Sequence, residues 1–461
     1  MGDSIISHVM LALLATTVMQ QQTDNSATNQ DEPNVVIIFT DDLGYGDLGC
    51  YGHPTIATPN LDQMAAQGMK FTDFYSACSV CTPSRAALMT GRLPIRNGMW
   101  GNRRVLFPNS PGGLQQSEVT IARALKQVGY ETLCVGKWHL GHHPEYLPTS
   151  HGFDQYFGIP YSNDMEVEKR GDPPLPLMEN ETVLEAPVDQ TTLTKRYTEK
   201  VVSYIKEKKD DSFFIYYAQT FPHVPLYASK DFKGKSRRGL YGDVVEEIDW
   251  SVGKILDTLR QEGLAEKTLV FFTSDNGPWL IKMLEGGSAG LLREGKGCTY
   301  EGGMRVPALA WWPGTVKAGS VNHELASTLD LLPTVAELTG AKLPQDRSYD
   351  GFSMVPMLEG TGPSKRDHMF FYRRNELYAV RLGDHKAHYI TQGAYGKTAR
   401  KLERHDPPQL YHLGHDPSEQ HDISAKNPEI LSRIDQLVKD HQASLDPPPS
   451  QLDRKAEKPK S

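Results

Sequence analysis

The chain has 461 residues, 38% of them hydrophobic, with 6 Trp, 20 Tyr and 15 Phe. That is enough apolar material for a large core, and 40 Gly with 31 Pro is an ordinary content, so a collagenous, coiled-coil or wholly disordered chain is excluded. Forty-nine basic against 57 acidic residues give a net charge of −8, which makes nucleic acid an unexpected partner. Any bound anion must be held by a few local cations rather than by an overall field.

Residues 5–19 are mostly apolar and the following stretch is polar. Residues 1–33 therefore read as a signal peptide and linker, although Asp3 stands where a basic residue is usual, and they imply export. The apolar run is short for a membrane span and no other segment is long enough, so no transmembrane span is expected. Five cysteines are too few for a disulfide scaffold, and the odd number leaves at least one without an intramolecular partner.

Short β-branched and aromatic runs alternate with helical patterns, which predicts a mainly parallel sheet covered by helices on both faces. Strands are expected at 34–40, 131–135, 213–218 and 268–272, and helices at 61–68, 118–128 and 244–259. This domain is read over 34–363. Beyond it, strand-like runs at 368–372, 376–382, 386–391 and 409–413, then a helix at about 428–442, predict a small α+β subdomain over 364–445 with a short antiparallel sheet. The Pro- and Lys-rich residues 446–461 read as a disordered tail.

The chemistry-bearing residues stand just beyond the buried strands. NVVIIFT runs into Asp41 and Asp42, ETLCV into Lys137 and His139, FFIYYA toward His223, and TLVFFT toward Asp275 and Asn276. In open parallel sheets ligands lie beyond the carboxyl ends of the strands, so these segments converge on one rim. Asp41, Asp42, Asp275 and Asn276 are all oxygen donors, a set suited to a hard divalent cation. Taken singly, each pair could equally be turn residues or caps. In Cys81-Thr82-Pro83-Ser84-Arg85, proline after threonine marks a helix start. It places Cys81 at the positive end with Arg85 one turn on, an anion site with a reactive residue at its mouth. The Cys78/Cys81 spacing also permits a redox pair, which would leave the carboxylates and histidines without a role. His388 could reach the site from the small subdomain or pack within it.

Residues 81–85 (CTPSR) resemble the sulfatase signature C-x-P-S-R, and GKWHLG at 136–141 resembles the family's second signature. Residues 290–313, 158–164 and 410–417 extend the similarity to arylsulfatase A-like members over nearly the whole chain. The resemblance implies an alkaline phosphatase-like α/β/α sandwich and hydrolysis of a sulfate monoester, of a carbohydrate or an aryl surrogate. It also implies that Cys81 is converted to formylglycine by a formylglycine-generating enzyme. The hydrated aldehyde would be the nucleophile, and its second hydroxyl would expel sulfate after losing a proton. Asp41, Asp42, Asp275, Asn276 and the modified Cys81 match ligands of one Ca2+, in preference to Mg2+. Arg85 matches the residue that stabilises the diol, His139 the base, and His223 the donor to the leaving alcohol and a substrate contact. Lys137 and Lys296 match sulfate-binding lysines, and Ser162 a substrate-contacting serine. The rivals are a phosphonate or phosphodiester hydrolase of the same superfamily, or a non-catalytic sulfated-glycan binder if Cys81 stays a thiol. Neither the oligomeric state nor the identity of the alcohol is legible.

Overall fold

The computed structural model describes residues 32–396 and 401–455. The expected signal peptide lies outside the described residues. Six strands build the middle of the main sheet: β1 (Asn34–Thr40), β2 (Glu131–Lys137), β3 (Gln155–Ile159), β4 (Phe213–Ala218), β5 (Thr268–Ser274) and β6 (Ala308–Trp311). β1 lies between β4 and β5, β2 between β4 and β3, all parallel, and β6 closes on β5 antiparallel. Short strands extend both edges to ten among the described residues.

The apolar runs are legible as strands because both faces of the sheet are buried. Val35, Ile37 and Phe39 enter one core, and Val36 and Ile38 the other. Helix α1 (Cys81–Thr90) packs Ala86, Leu88 and Met89 into the first core. α2 (Leu193–Glu207) and α3 (Leu240–Gln261) fill the second with stripes such as Tyr197–Val201 and Val244–Ile248. The result is the expected α/β/α sandwich.

The C-terminal part is a four-stranded antiparallel sheet, His368–Arg373, Glu376–Leu382, His385–Gln392 and Leu402–His412, with helix α4 (Pro428–Ala443) against it. Its core residues Phe370, Val380, Leu410 and Ile434 are continuous with Ala87 of α1 and Leu93. The small sheet therefore backs the helix that carries Cys81. Buried ion pairs strengthen the junction: Lys386 meets Glu301 at 2.8 Å and Arg381 meets Asp73 at 2.7 Å.

The expected disordered tail is corrected over its first ten residues. Residues 446–455 lie along the main domain, with Leu452 buried, Gln451 N donating to Gly98 O at 2.9 Å and the Asp453 carboxylate accepting from the backbone of Asn102 and Arg103. Proline-rich composition suggested disorder, but these bonds and one buried leucine give the segment a fixed course. Residues 456–461 lie outside the described residues.

Candidate active site

Parallel neighbours end on the same rim, so β1, β2, β4 and β5 deliver the residues beyond them to one place. Asp41 and Asp42 follow β1, Asp275 and Asn276 follow β5, Lys137 ends β2, and His223 follows β4. Gly136 in β2 must be glycine: it has φ +100°, and a Cβ there would meet Ala218 O at 1.9 Å. Without it β2 could not lie close enough to β4 to bring Lys137 in.

α1 begins two residues before Pro83, the first helical position that Thr82-Pro83 suggested. Cys81 is its first residue and Val80 its N-cap, with no side-chain cap. The Thr82 hydroxyl instead donates to the carbonyl of His139 at 3.0 Å, tying the helix start to the segment after β2. Cys81 Sγ lies 3.4 Å from Asp41 Oδ1 and 3.6 Å from Lys296 Nζ. Asp41, Asp42, Cys81 and His223 each offer a donor atom within 4.8 Å of the others.

Three cations bind these carboxylates. Arg85 Nη2 sits 3.0 Å from Asp275 and 3.3 Å from Asp41, while Nη1 donates to Lys137 O at 3.0 Å. Lys137 Nζ bonds Asp41 and, at 3.0 Å, Ser162 Oγ. Lys296 Nζ lies 2.7 Å from an Asp42 oxygen. Burial would raise the Asp41 pKa, but Lys137, His223, Arg85 and Lys296 hold it well below the carboxylate range. Asp275 goes the other way, to about 7, through burial and the nearby Asp41 charge.

A hard divalent cation fits this donor set. Asp42 accepts from Asn276 Nδ2 at 2.7 Å, which leaves Asn276 Oδ1 buried and without a partner among the described residues. That unpartnered oxygen, the carboxylates beside it and the crowding that raises Asp275 are features a hard cation would satisfy.

As a thiol, Cys81 is not the reactive residue that a helix start suggests. Burial and then Asp41 push its pKa well above the ordinary value, outweighing Lys137 and Lys296. A protonated buried thiol is a poor nucleophile.

The histidines present one free ring nitrogen each. His139 Nε2 meets the Leu106 carbonyl at 2.9 Å, so the proton belongs there and Nδ1 is left without a partner among the described residues. Burial and Lys137 keep this imidazole neutral, its pKa well below the usual value. His223 Nδ1 faces Val224 O at 2.6 Å and Asn163 Oδ1 at 3.1 Å, while Nε2 looks toward Asp42, 3.7 Å away. Burial, then Lys296, lower the His223 pKa against the raising effect of Asp42 and Asp41.

A cleft of about 380 Å3 opens over Cys81, His139, Ser162, His223 and Lys296. Sequence reasoning missed three residues here. Asn163 orients His223, Asp164 carries a buried Oδ1 without a partner among the described residues, and the Trp279 ring stands 5.5 Å from His223 and under Lys296 at 4.5 Å. Asn163 and Asp164 directly follow Ser162, and Trp279 comes three residues after Asn276, so proximity in sequence was an available signal. His388 is not among the cleft residues; it is buried against Glu419 at 2.7 Å and packs on Tyr300. All five cysteines are free, so Cys78 and Cys81 form no disulfide.

The sulfatase family model matches residues 33–341, and the model for the C-terminal region of aryl-sulfatase matches 364–461. The chain belongs to the sulfatase family. Human arylsulfatase A is 46% identical over 443 residues, covering 88% of this sulfatase and 87% of that protein. Human N-acetylgalactosamine-6-sulfatase is 43% identical over 458 residues, covering 91% and 87%. Among solved structures, a sulfatase from Pseudoalteromonas sp. superposes with a TM-score of 0.83 at 28% identity, covering 92% of each chain. This sulfatase is a sulfuric ester hydrolase on the alkaline phosphatase-like fold. No helix of the described residues is long and apolar enough to cross a membrane.

Proposed function

We propose that this sulfatase releases sulfate from a sulfated carbohydrate, with residue 81 working as formylglycine and one Ca2+ held by Asp41, Asp42, Asp275, Asn276 and residue 81. The observation that carries this reading is the position of Cys81. It is the first residue of α1, 3.4 Å from Asp41 and within reach of Lys296, yet as a thiol it stays protonated. Placement suits a nucleophile and the thiol chemistry does not, which is the case for oxidation by a formylglycine-generating enzyme during maturation.

The ion, when bound, supplies a Lewis acid, and the oxidised side chain supplies a hydrated aldehyde as nucleophile. The chain's own residues do the rest. Lys137 and Lys296 flank Asp41 and Asp42 and set positive charge where the oxygens of a bound sulfate would lie. Ser162 shares Lys137 Nζ and adds a neutral contact. Arg85 spans Asp41 and Asp275 and fixes the carboxylates, leaving Nε without a partner among the described residues. His139, neutral with a bare Nδ1, is suited to accept the proton whose loss expels sulfate. His223, its Nδ1 hydrogen held by Val224 O, turns Nε2 to the cleft, where the ring, once it has taken a second proton at Nε2, would pass that proton to the leaving alcohol.

Two features favour a sugar as that alcohol. Asp164 Oδ1 is an unused acceptor for a hydroxyl, and Trp279 offers an aromatic face at the cleft wall. The similarity to N-acetylgalactosamine-6-sulfatase points the same way. Export, implied by residues 1–33, belongs to the same reading.

Turnover of 4-nitrophenyl sulfate against a nitrophenyl phosphodiester, in wild type and Cys81→Ala, tests the proposal. The sulfate ester should be preferred and Cys81→Ala should be inactive but folded. Retained activity in Cys81→Ala would defeat the nucleophile, and preference for the phosphodiester would favour the rival hydrolase.

A further inference from the structure

The main cleft borders a smaller hollow of about 30 Å3, and the two share Val80, Arg103, Arg104 and Tyr395 as walls. Four arginines line the smaller space. Arg103 and Arg104 come from the loop beyond Gly98, and Arg373 and Arg374 from the end of the first strand of the small sheet and the turn after it. They are far apart in sequence and meet only because the small sheet backs α1.

Among the described residues, no carboxylate lies within 4.0 Å of any of these four guanidinium groups. Arg103 hydrogen-bonds Asn109 Oδ1 and Ser110 Oγ, both at 3.4 Å, and Arg373 the carbonyls of Gln392 and Gly393, also at 3.4 Å, with the Tyr395 ring centre 5.9 Å from its guanidinium. Arg104 stacks on the Tyr395 ring at 4.0 Å. The nearby Asp453 carboxylate is occupied by the backbone N–H groups of Asn102 and Arg103. The buried arginines Arg85, Arg96, Arg305 and Arg366 each hold a carboxylate, whereas the half-buried Arg123, Arg238 and Arg293 bond backbone carbonyls, as Arg373 does. Burial lowers the pKa of Arg373, with Arg104 adding to the effect. Arg103, Arg104 and Arg374 are exposed and Arg373 is half-buried, so four like charges converge beside the cleft with no carboxylate among the described residues to offset them, and an anion would complete the set. The chain is acidic as a whole, so this concentration of positive charge is local.

Tyr395 joins the two spaces. Its N–H donates to Lys296 O at 3.0 Å, and its ring lies where a Cβ on Gly297 would stand 2.4 Å away. The wall beside a proposed sulfate-binding lysine is thus the platform on which Arg104 rests.

We propose that this hollow is a second anion subsite, so that the substrate is a polyanion carrying, beside the scissile sulfate, a further sulfate or carboxylate on the same or the next sugar. The inference rests on the carbohydrate sulfatase reading of the main cleft and deepens it. A planar guanidinium fork suits either anion, and charge-assisted pairs of this kind are the strong ones.

The test uses disaccharides as competitive inhibitors of 4-nitrophenyl sulfate hydrolysis: one monosulfated, one disulfated, and one monosulfated with a uronate. The panel is run on wild type, Arg104→Gln, Arg373→Gln and the charge-keeping Arg373→Lys, with thermal melts to establish folding. In wild type a second anion should lower Ki about tenfold, and the gain should shrink as salt screens it. The two glutamine variants should each lose most of that gain; Arg373→Gln, which lies outside the main cleft, should keep kcat and KM for 4-nitrophenyl sulfate within about twofold, while Arg373→Lys retains a preference. The sulfate and uronate arms tell which anion the hollow takes. Equal Ki for mono- and dianionic sugars in wild type, or an undiminished preference in folded Arg104→Gln and Arg373→Gln, overturns the subsite alone. Absence of any sulfate-ester turnover defeats the underlying reading as well.

Discussion

Replacing Lys296 by glutamine separates catalysis from folding more cleanly than any other change at the rim. The ammonium lies 2.7 Å from Asp42, 3.6 Å from Cys81 Sγ and 4.5 Å from the centre of the Trp279 ring. It is buried, and although burial lowers its pKa, Asp42, Cys81, Asp41 and Asp275 raise it well above the ordinary value, so it is charged at every working pH. A fixed cation of this kind beside the atom that attacks sulfur stabilises charge that grows in the transition state. Loss of one such donor costs about 2.7–4 kcal/mol, or about 10²–10³ in kcat. The fold should suffer less, because Asp42 keeps its 2.7 Å bond from Asn276 Nδ2 and is not left unpaired; roughly 1–3 kcal/mol is expected. The assay is steady-state hydrolysis of 4-nitrophenyl sulfate with saturating Ca2+, alongside a thermal melt. A folded Lys296→Gln whose kcat stays within about tenfold of wild type would refute the placement of Lys296 at the sulfate.

The same geometry makes three further outcomes testable. Removing divalent metal with EGTA should abolish turnover and lower the melting temperature, because only Arg85, Lys137 and Lys296 then offset the crowded Asp41, Asp42 and Asp275, and Ca2+ should restore both better than Mg2+; unchanged melting would argue against a resident ion. His151 is buried and its pKa is pushed down to about 3 by burial and Arg123, so the unfolded chain takes its proton near pH 6.5 while the folded chain does not. Stability therefore falls as pH drops below 6.5, by about 2.7 kcal/mol at pH 4.5, and His151→Phe should gain on wild type by that order between pH 7.5 and 4.5; parallel melting curves would contradict this. Leu452→Ala should cost about 2–5 kcal/mol with kcat unaffected, because Leu452 is 1% exposed; no change in melting would mean the segment is unattached.

How much was legible depended on how local the determining physics is. Asn34–Thr40 and Phe213–Ala218 coincide with their sequence readings because strands inside a covered sheet are continuous apolar runs, and Glu376–Leu382 does so on its β-branched and aromatic residues between turns. The last strand of the small sheet starts at Leu402, seven residues before its reading, because Glu403 to Pro408 is charged and proline-containing and only its pairing with Ile390–Gln392 makes it a strand. The carboxylate pairs, Lys137 and His223 were readable from their places just beyond apolar strands, whereas the thiol chemistry of Cys81 was not. A helix start alone predicts a lowered pKa; the sequence does not reveal that Asp41 and complete burial act against it. Thr82-Pro83 marks a helix start locally, but the His139 carbonyl that takes the Thr82 hydroxyl lies on another strand's loop. The arginine hollow is illegible for the same reason, since it exists only once the small sheet is docked behind α1.

The most direct measurement is mass spectrometry of the peptide spanning residues 79–92 from enzyme made in a host that can oxidise the cysteine, with specific activity taken from the same preparation. Conversion of CH2SH to an aldehyde at residue 81, with activity in proportion to the converted fraction, is the result expected. Full activity from a preparation in which residue 81 is entirely an unmodified thiol would contradict it.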